Sequence, residues 1–186
     1  MLRSVRSSTD ERARRLPGDE LLPKGINSSL THAITLRRPP QEVWPWLLQM
    51  GAGRAGWYSY DFIDNGGHRS AERIVPELQR VEVGATLPAL PGATDGFTVL
   101  SVDPERSLVL GWVPAGGGPP LMTWAFVLQE QERGSTRLIV RARGGPGYRP
   151  PFGLPRWTIG TLVEWGHSVM QRKQLLGIAR RSEARQ

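Results

Sequence analysis

The run Trp57-Tyr58-Ser59-Tyr60-Asp61 concentrates most of the polar-aromatic chemistry in this 186-residue chain. A phenol can give a proton and a carboxylate can take one. Together in a cleft they can act as a general acid and base. Tyr60 and Asp61 are therefore the first catalytic candidates, and His32 is the third. Tyr58 and Glu77 are weaker ones. Each also has a structural reading. Tyrosines pack amphipathically, Asp61 suits a helix end, and His32 suits the wall or rim of a sheet.

Other chemistries are poorly provided for. The chain has no cysteine, so thiol nucleophiles, disulfides and thiolate metal sites are excluded. Its three histidines, at 32, 68 and 167, show no metal-ligand spacing. Gly51-Ala52-Gly53-Arg54-Ala55-Gly56 matches a dinucleotide fingerprint superficially, but it follows a helical pattern instead of a strand. No Gly-x-Ser-x-Gly elbow occurs. No metal and no cofactor is expected. Glu164 and His167, one turn apart, read as a solvated pair.

Binding surface is better provided for. Residues 39–61 hold three of the seven tryptophans and two of the three tyrosines. Aromatic rings both fill cores and line ligand pockets. The candidate walls are Trp46, Trp57, Tyr58, Tyr60, Trp124, Phe126, Val163 and Met170, with Trp112 and Trp165 as further possibilities. Arg54 or Tyr60 is placed to fix a polar end of a ligand.

The elements that must carry these residues follow from periodicity. Residues 30–37 alternate, with His32, Ile34 and Leu36 on one face of a first strand. Pro39-Pro40 opens a helix whose Val43, Leu47 and Met50 face the core beside Trp44, and Gly51, Gly53 and Gly56 end it. Residues 57–65 read as a second short helix, capped by Ser59 or the loop before it. Residues 71–78 suggest one more helical turn. Short strands follow at 80–83 and 84–87. The segments 97–102 and 107–113 form a hairpin, and 121–129 and 137–143 form two longer strands. Trp124, Phe126 and Leu128 share one face, as do Leu138, Val140 and Ala142. Arg137, Arg141 and Arg143 then fall with Ile139 on a face expected to be solvated. Residues 156–181 form the longest helix. Its apolar face is Ile159, Leu162, Val163, Gly166, Val169, Met170 and Leu176, opposite Glu164, His167, Ser168 and Gln171. Gly166 costs helix stability and leaves close approach or space over the helix.

The expected organisation is a mobile arm at 1–20, one domain at 21–181 and a basic tail at 182–186. Net charge is +7, from 24 Lys+Arg against 17 Asp+Glu, with much of the excess near the ends. Nucleic acid is not expected as the partner, although the basic ends allow weak contact with an anionic surface. No apolar leader and no membrane-length apolar run occurs, so the expected location is cytoplasmic.

The order strand, two helices, antiparallel strands and long terminal helix resembles the α+β helix-grip fold, a curved sheet wrapped around a C-terminal helix. The opening Ala33-Ile34-Thr35-Leu36, then Arg38-Pro39-Pro40-Gln41-Glu42-Val43-Trp44-Pro45-Trp46-Leu47, is similar to that of the START-like SRPBCC (polyketide cyclase/dehydrase-like) superfamily. There a first strand runs into a Pro-x-Glu-Val-Trp helix. Residues 46–61, 72–79 and 169–178 resemble a largely uncharacterised bacterial subgroup, and the likeness covers about 20–181. It implies an apolar cavity between sheet and helix. It carries over no catalytic residue, because no position matches a defined cyclase motif.

Three functions remain open on these grounds. The first is binding of a small hydrophobic or aromatic molecule, lipid- or polyketide-like, in the cavity. The second is a cyclase or dehydratase in the same cavity. The third is a regulatory protein acting through its basic ends.

Overall fold

The computed structural model describes residues 3–22, 26, 28–93, 95–145 and 156–184, with side chains from 165 onward in the terminal helix. Among the described residues six antiparallel strands form one sheet in the order β1-β6-β5-β4-β3-β2. They are β1 (Ser28–Leu36), β2 (Thr86–Pro88), β3 (Gly96–Asp103), β4 (Ser107–Trp112), β5 (Met122–Gln131) and β6 (Ser135–Gly144). The helices are α1 (Thr9–Ala13), α2 (Pro40–Leu48), α3 (Asp61–Asp64) and α4 (Arg156–Glu183). The architecture is α+β: a curved sheet closed around a long C-terminal helix, the helix-grip fold expected from the element order.

Alternation puts the same residues inside that the sequence pattern selects. Ile34, Leu36, Leu108, Leu110, Phe126, Leu128, Leu138 and Val140 line the concave face and pack with α2 and with Leu175, Ile178 and Ala179 of α4. Register holds them there. β1 pairs β6 from Ser28↔Gly144 to Leu36↔Thr136, and a one-residue slip would turn the whole set outward. Val43 and Leu47 of α2 and Met50 just after it are fully buried, beside Trp44 and Trp46. Arg54 closes the C-terminal end of this helix. Its guanidinium donates to the carbonyls of Leu48 and Met50, which lack intrahelical partners, and to that of Leu78.

The convex face is covered, and here the sequence reading needs correction. Arg137, Arg141 and Arg143 do not form a solvated face. The segment expected as an arm lies across them, and Leu16 packs with Ala33, Val109, Ala125, Val127 and Ile139 as a second apolar layer. A capping box, in which Ser8 accepts from the Glu11 N–H and Glu11 accepts from the Ser8 N–H, starts α1. Arg141, only 4% exposed at its side chain, then receives the end of α1. It donates to the carbonyls of Glu11, Arg12 and Arg14, to the Asp19 carboxylate at 2.7 Å and to Thr31 Oγ1. Arg137 grips Glu11 through two bonds, at 2.7 and 3.0 Å. The hydrogen bond from Arg137, more than opposing burial, holds the Glu11 carboxyl down at about 2. At the far end Arg3 pairs with Glu183 of α4.

Further elements differ from their sequence patterns: residues 80–83 do not form a strand, and the strand expected at 84–87 is β2, Thr86–Pro88. The helix expected at 57–65 shrinks to Asp61–Asp64, with no side-chain cap. Ser59 instead donates to the Met170 carbonyl, and Tyr58 adopts φ +61°. That backbone is drawn tight against α4: a Cβ on Gly177 would stand 2.2 Å from the Tyr58 carbonyl oxygen. Gly177 therefore allows the close approach, whereas no described atom lies within 4 Å of a Cβ built on Gly166. The inward stripe of α4 is also rotated from the expected one. Gln171, Gln174, Leu175, Ile178, Ala179 and Ser182 are buried, while Val169, Met170 and Leu176 are half-buried. Gln171 thus faces the sheet, because a chain of hydrogen bonds satisfies its amide there. The side chains of Ile159, Leu162, Val163 and Glu164 lie outside the described residues.

Candidate functional site: an aromatic cluster under the terminal helix

Five aromatic rings converge where β3, β4 and β5 face the loop after α2. Trp57 and Trp124 lie 5.3 Å apart between centroids, and Phe97 touches both, at 5.4 and 5.2 Å. Phe126 extends the group beyond Trp124 at 4.9 Å, and Trp112 beyond Phe97 at 5.7 Å. Strand pairing explains the stack. Trp124 and Phe126 stand two apart on β5, so both point to the concave side. Trp57 is pinned from the opposite side by its indole N–H, which donates to the Ala89 carbonyl at 3.2 Å. The outer rings keep some surface: Phe97, Trp112 and Trp124 are half-buried, whereas Trp57 and Phe126 are buried.

A polar string runs from this cluster along α4. Trp124 Nε1 donates to Gln171 Oε1 at 2.9 Å, Gln171 Nε2 donates to Gln174 Oε1 at 2.7 Å, and Gln174 Nε2 approaches Met50 Sδ at 3.7 Å. Each amide orients the next, so the Trp124 ring plane is set by the helix. One turn before Gln171, His167 meets the Trp124 ring edge-on at 6.3 Å. Its Nδ1 is buried and has no hydrogen-bond partner. Burial first, and the nearby His32 second, lower the His167 pKa to about 4. Burial also lowers that of His32. The His167 imidazole is therefore neutral at pH 7, with a nitrogen free to accept or donate one hydrogen bond.

The sequence candidates do not all meet. Trp57, Trp124 and Phe126 belong to the aromatic cluster. His32 stands on the β1 face pointing into the same interior, where its charge is felt at His167. Trp46 and Tyr58 pack edge to face at 6.0 Å elsewhere in the core, and the Tyr58 hydroxyl donates to the Trp46 carbonyl. Arg181 stacks over the Tyr58 ring at 4.8 Å, and burial pushes the phenol pKa up. Tyr60 is 39% exposed beneath Lys173. Asp61 accepts from the Ser70 hydroxyl and backbone N–H, fixing the loop before residue 71. Met170 is half-buried and offers its carbonyl to Ser59. Val163 lies outside the described side chains.

Sequence reasoning missed Phe97, Gln171, Gln174 and Asp64. Phe97 shares a strand face with Val99, a signal that was legible. Gln171 and Gln174 were not, because polar residues on a helix read as solvated. Asp64 is 6% exposed, and neither carboxylate oxygen has a well-formed hydrogen bond, although the backbone N–H groups of Tyr60 and Asp64 and the Ser59 side chain lie close enough to favour its charge. Burial, then the Asp61 charge, raises its pKa to about 6. Among the described residues no three His, Asp or Glu side chains gather to hold a metal ion. No helix among them is long and apolar enough to cross a membrane.

No known family profile matches the chain, and no curated protein does. Solved structures do. Protein CV1439 from Chromobacterium violaceum matches at 16% identity and a TM-score of 0.47, over 84% of this chain and 98% of its own. Protein MLL2253 from Mesorhizobium loti matches at 20% identity and 0.46, over 82% and 98%. CalU16 from Micromonospora echinospora matches at 15% identity and 0.45, over 83% and 81%. The fold assignment rests on the strand order and register described above, and these proteins are what the chain is similar to.

Proposed function

We propose that the chain is a START-like (SRPBCC) protein of the cytoplasm that binds a small hydrophobic or aromatic molecule, lipid- or polyketide-like, between the sheet and α4. One observation carries the reading: a cluster of partly accessible aromatic rings ends on a buried imidazole nitrogen without a partner. Stacked rings supply apolar contact, and a few convergent polar groups orient a ligand. Here those groups are His167 Nδ1 and the Gln171–Gln174 string. Titration of intrinsic tryptophan fluorescence with a panel of fatty acids, sterols and aromatic polyketides tests it. Saturable quenching should appear with at least one class, and Trp124→Ala should weaken it about tenfold while far-UV dichroism is unchanged. A flat response across the panel, or equal affinity in Trp124→Ala, defeats the reading.

The unpartnered imidazole also favours a second reading, a cyclase- or dehydratase-type enzyme in the same place. A neutral His167 can take a proton from a bound ketone's α-carbon. It is better placed for this than Tyr60, which is exposed, or Asp61, which is occupied by Ser70. Turnover of an aromatic polyketide chain that is lost in His167→Asn, with ligand quenching retained, supports this. Turnover that survives the substitution removes it.

A further inference from the structure

A second site lies on the opposite face of the sheet. Between the docked N-terminal segment and strands β1 and β6 is a cleft of about 320 Å³, lined by Arg12, Ala13, Arg14, Arg15, Asp19, Ser29, Arg141 and Arg143. Five arginines and one aspartate are among its lining residues; Arg12 donates to the Ser7 carbonyl and Thr9 Oγ1, and Arg14 donates through one terminal nitrogen to Gln129 Oε1 at 2.8 Å. Asp19 is already divided between Arg141 at 2.7 Å and Arg143 at 3.0 Å. Arg141 is saturated by the carbonyls of α1 and forms a fixed cationic floor. Arg15 reaches Glu20 only at 3.8 Å, and its side chain is 75% exposed, so it stands free as a rim.

The donors are not all satisfied. Arg14 Nε and Arg143 Nε are both buried without any acceptor. Buried N–H groups in folded proteins nearly always have one. Two orphaned donors on two arginines that line the same cleft indicate an acceptor that the chain itself does not supply. An oxygen of a bound anion supplies it once either guanidinium rotates its Nε toward the cleft. Arginine forks match the tetrahedral oxygens of phosphate.

We propose that this cleft binds a phosphate dianion, as free phosphate or as a phosphate monoester headgroup, independently of any ligand under α4. The chemistry is carried by Arg14, Arg15 and Arg143, with the Ser29 hydroxyl at the edge. Arg141 positions them and remains engaged with the protein.

Calorimetric titration with inorganic phosphate and pyrophosphate, at ionic strength held constant with chloride, is the test. Wild-type protein should bind saturably and melt at a higher temperature in phosphate than in chloride. Arg14→Gln and Arg15→Ala should each weaken binding about tenfold, the effect expected for losing one charge-assisted contact. Arg15→Ala changes an exposed side chain, so a folding defect in Arg143→Gln leaves the test intact. Sedimentation with phosphatidic acid vesicles, against phosphatidylcholine vesicles, identifies the source. Binding only to the former assigns a headgroup, and binding of soluble phosphate without vesicle binding assigns a free anion. No saturable binding in either arm, or unchanged affinity in folded Arg14→Gln and Arg15→Ala, overturns the proposal.

Discussion

Asp64 and His167 are buried titratable groups whose environments push them in opposite directions. Folded His167 titrates near 4 against an ordinary 6.5, so below pH 6.5 the unfolded chain takes up the proton first. Stability from this group is complete above pH 6.5 and falls as the pH drops toward 4. Folded Asp64 keeps its proton up to about 6 against an ordinary 3.8. Its contribution therefore falls as pH rises from 3.8 through 6, because the fold must then hold a buried charge beside that of Asp61. The two slopes oppose each other between pH 4 and 6. Asp64→Asn removes one of them. The variant should be more stable than wild type at pH 7, by roughly 1–3 kcal/mol, and should lose stability steadily from pH 6.5 to 4 where wild type changes little. Urea denaturation at four pH values checks both the sign and the window. An Asp64→Asn variant less stable than wild type at pH 7 would show that the carboxylate has a favourable partner.

At the scale of elements, the docked N-terminal segment is held by one side chain more than any other. Arg141 closes the carbonyl end of α1 and pairs with Asp19, and it does so at 4% side-chain exposure. Truncating one member of such a buried pair leaves the other uncompensated. Arg141→Leu should cost about 3–5 kcal/mol, whereas Arg15→Ala should cost less than about 1 kcal/mol, as expected for an exposed pair. Chemical denaturation of both variants measures the contrast. The element was partly legible. Ser8 and Glu11 have capping-box spacing, and Leu16, Leu21 and Leu22 are apolar. A five-residue helix has too little periodicity to be seen by pattern alone, and nothing local predicts that it will meet Arg137 and Arg141 of β6.

Across the whole molecule, the charge surplus is less a property of the ends than the composition suggests. Arg54 caps α2, Arg137 and Arg141 hold the N-terminal segment, and Arg181 is 5% exposed while donating to the carbonyls of Ser70 and Ala71. Residues from 178 onward are core: Ile178 is fully buried and Ala179 is 2% exposed. A chain ending at Gly177 should lose its fixed tertiary structure, seen as loss of the near-ultraviolet dichroism of its packed tryptophans. A chain ending at Ala184 should keep it. A native spectrum from the shorter chain would show that the end of α4 is not needed to close the sheet.

Local pattern alone determined which strand faces are apolar, the start of α2 at Pro39-Pro40 and the extent of α4, and the order of those elements carried the resemblance to a helix-grip fold. All of these depend on periodicity and turn chemistry within a few residues. It also placed Trp57, Trp124 and Phe126 on surfaces that face the interior. Only the tertiary structure decided which aromatics meet. Trp46 and Tyr58 stand as near Trp57 in sequence as any wall residue, yet Gly177 and the positive φ of Tyr58 draw them into a different part of the core. It alone turned Gln171 and Gln174 inward, because an amide can be buried once a partner such as Trp124 Nε1 is in reach. For the same reason a row of arginines on β6 reads as solvent-facing until the carbonyls and carboxylates that receive it arrive from more than a hundred residues away.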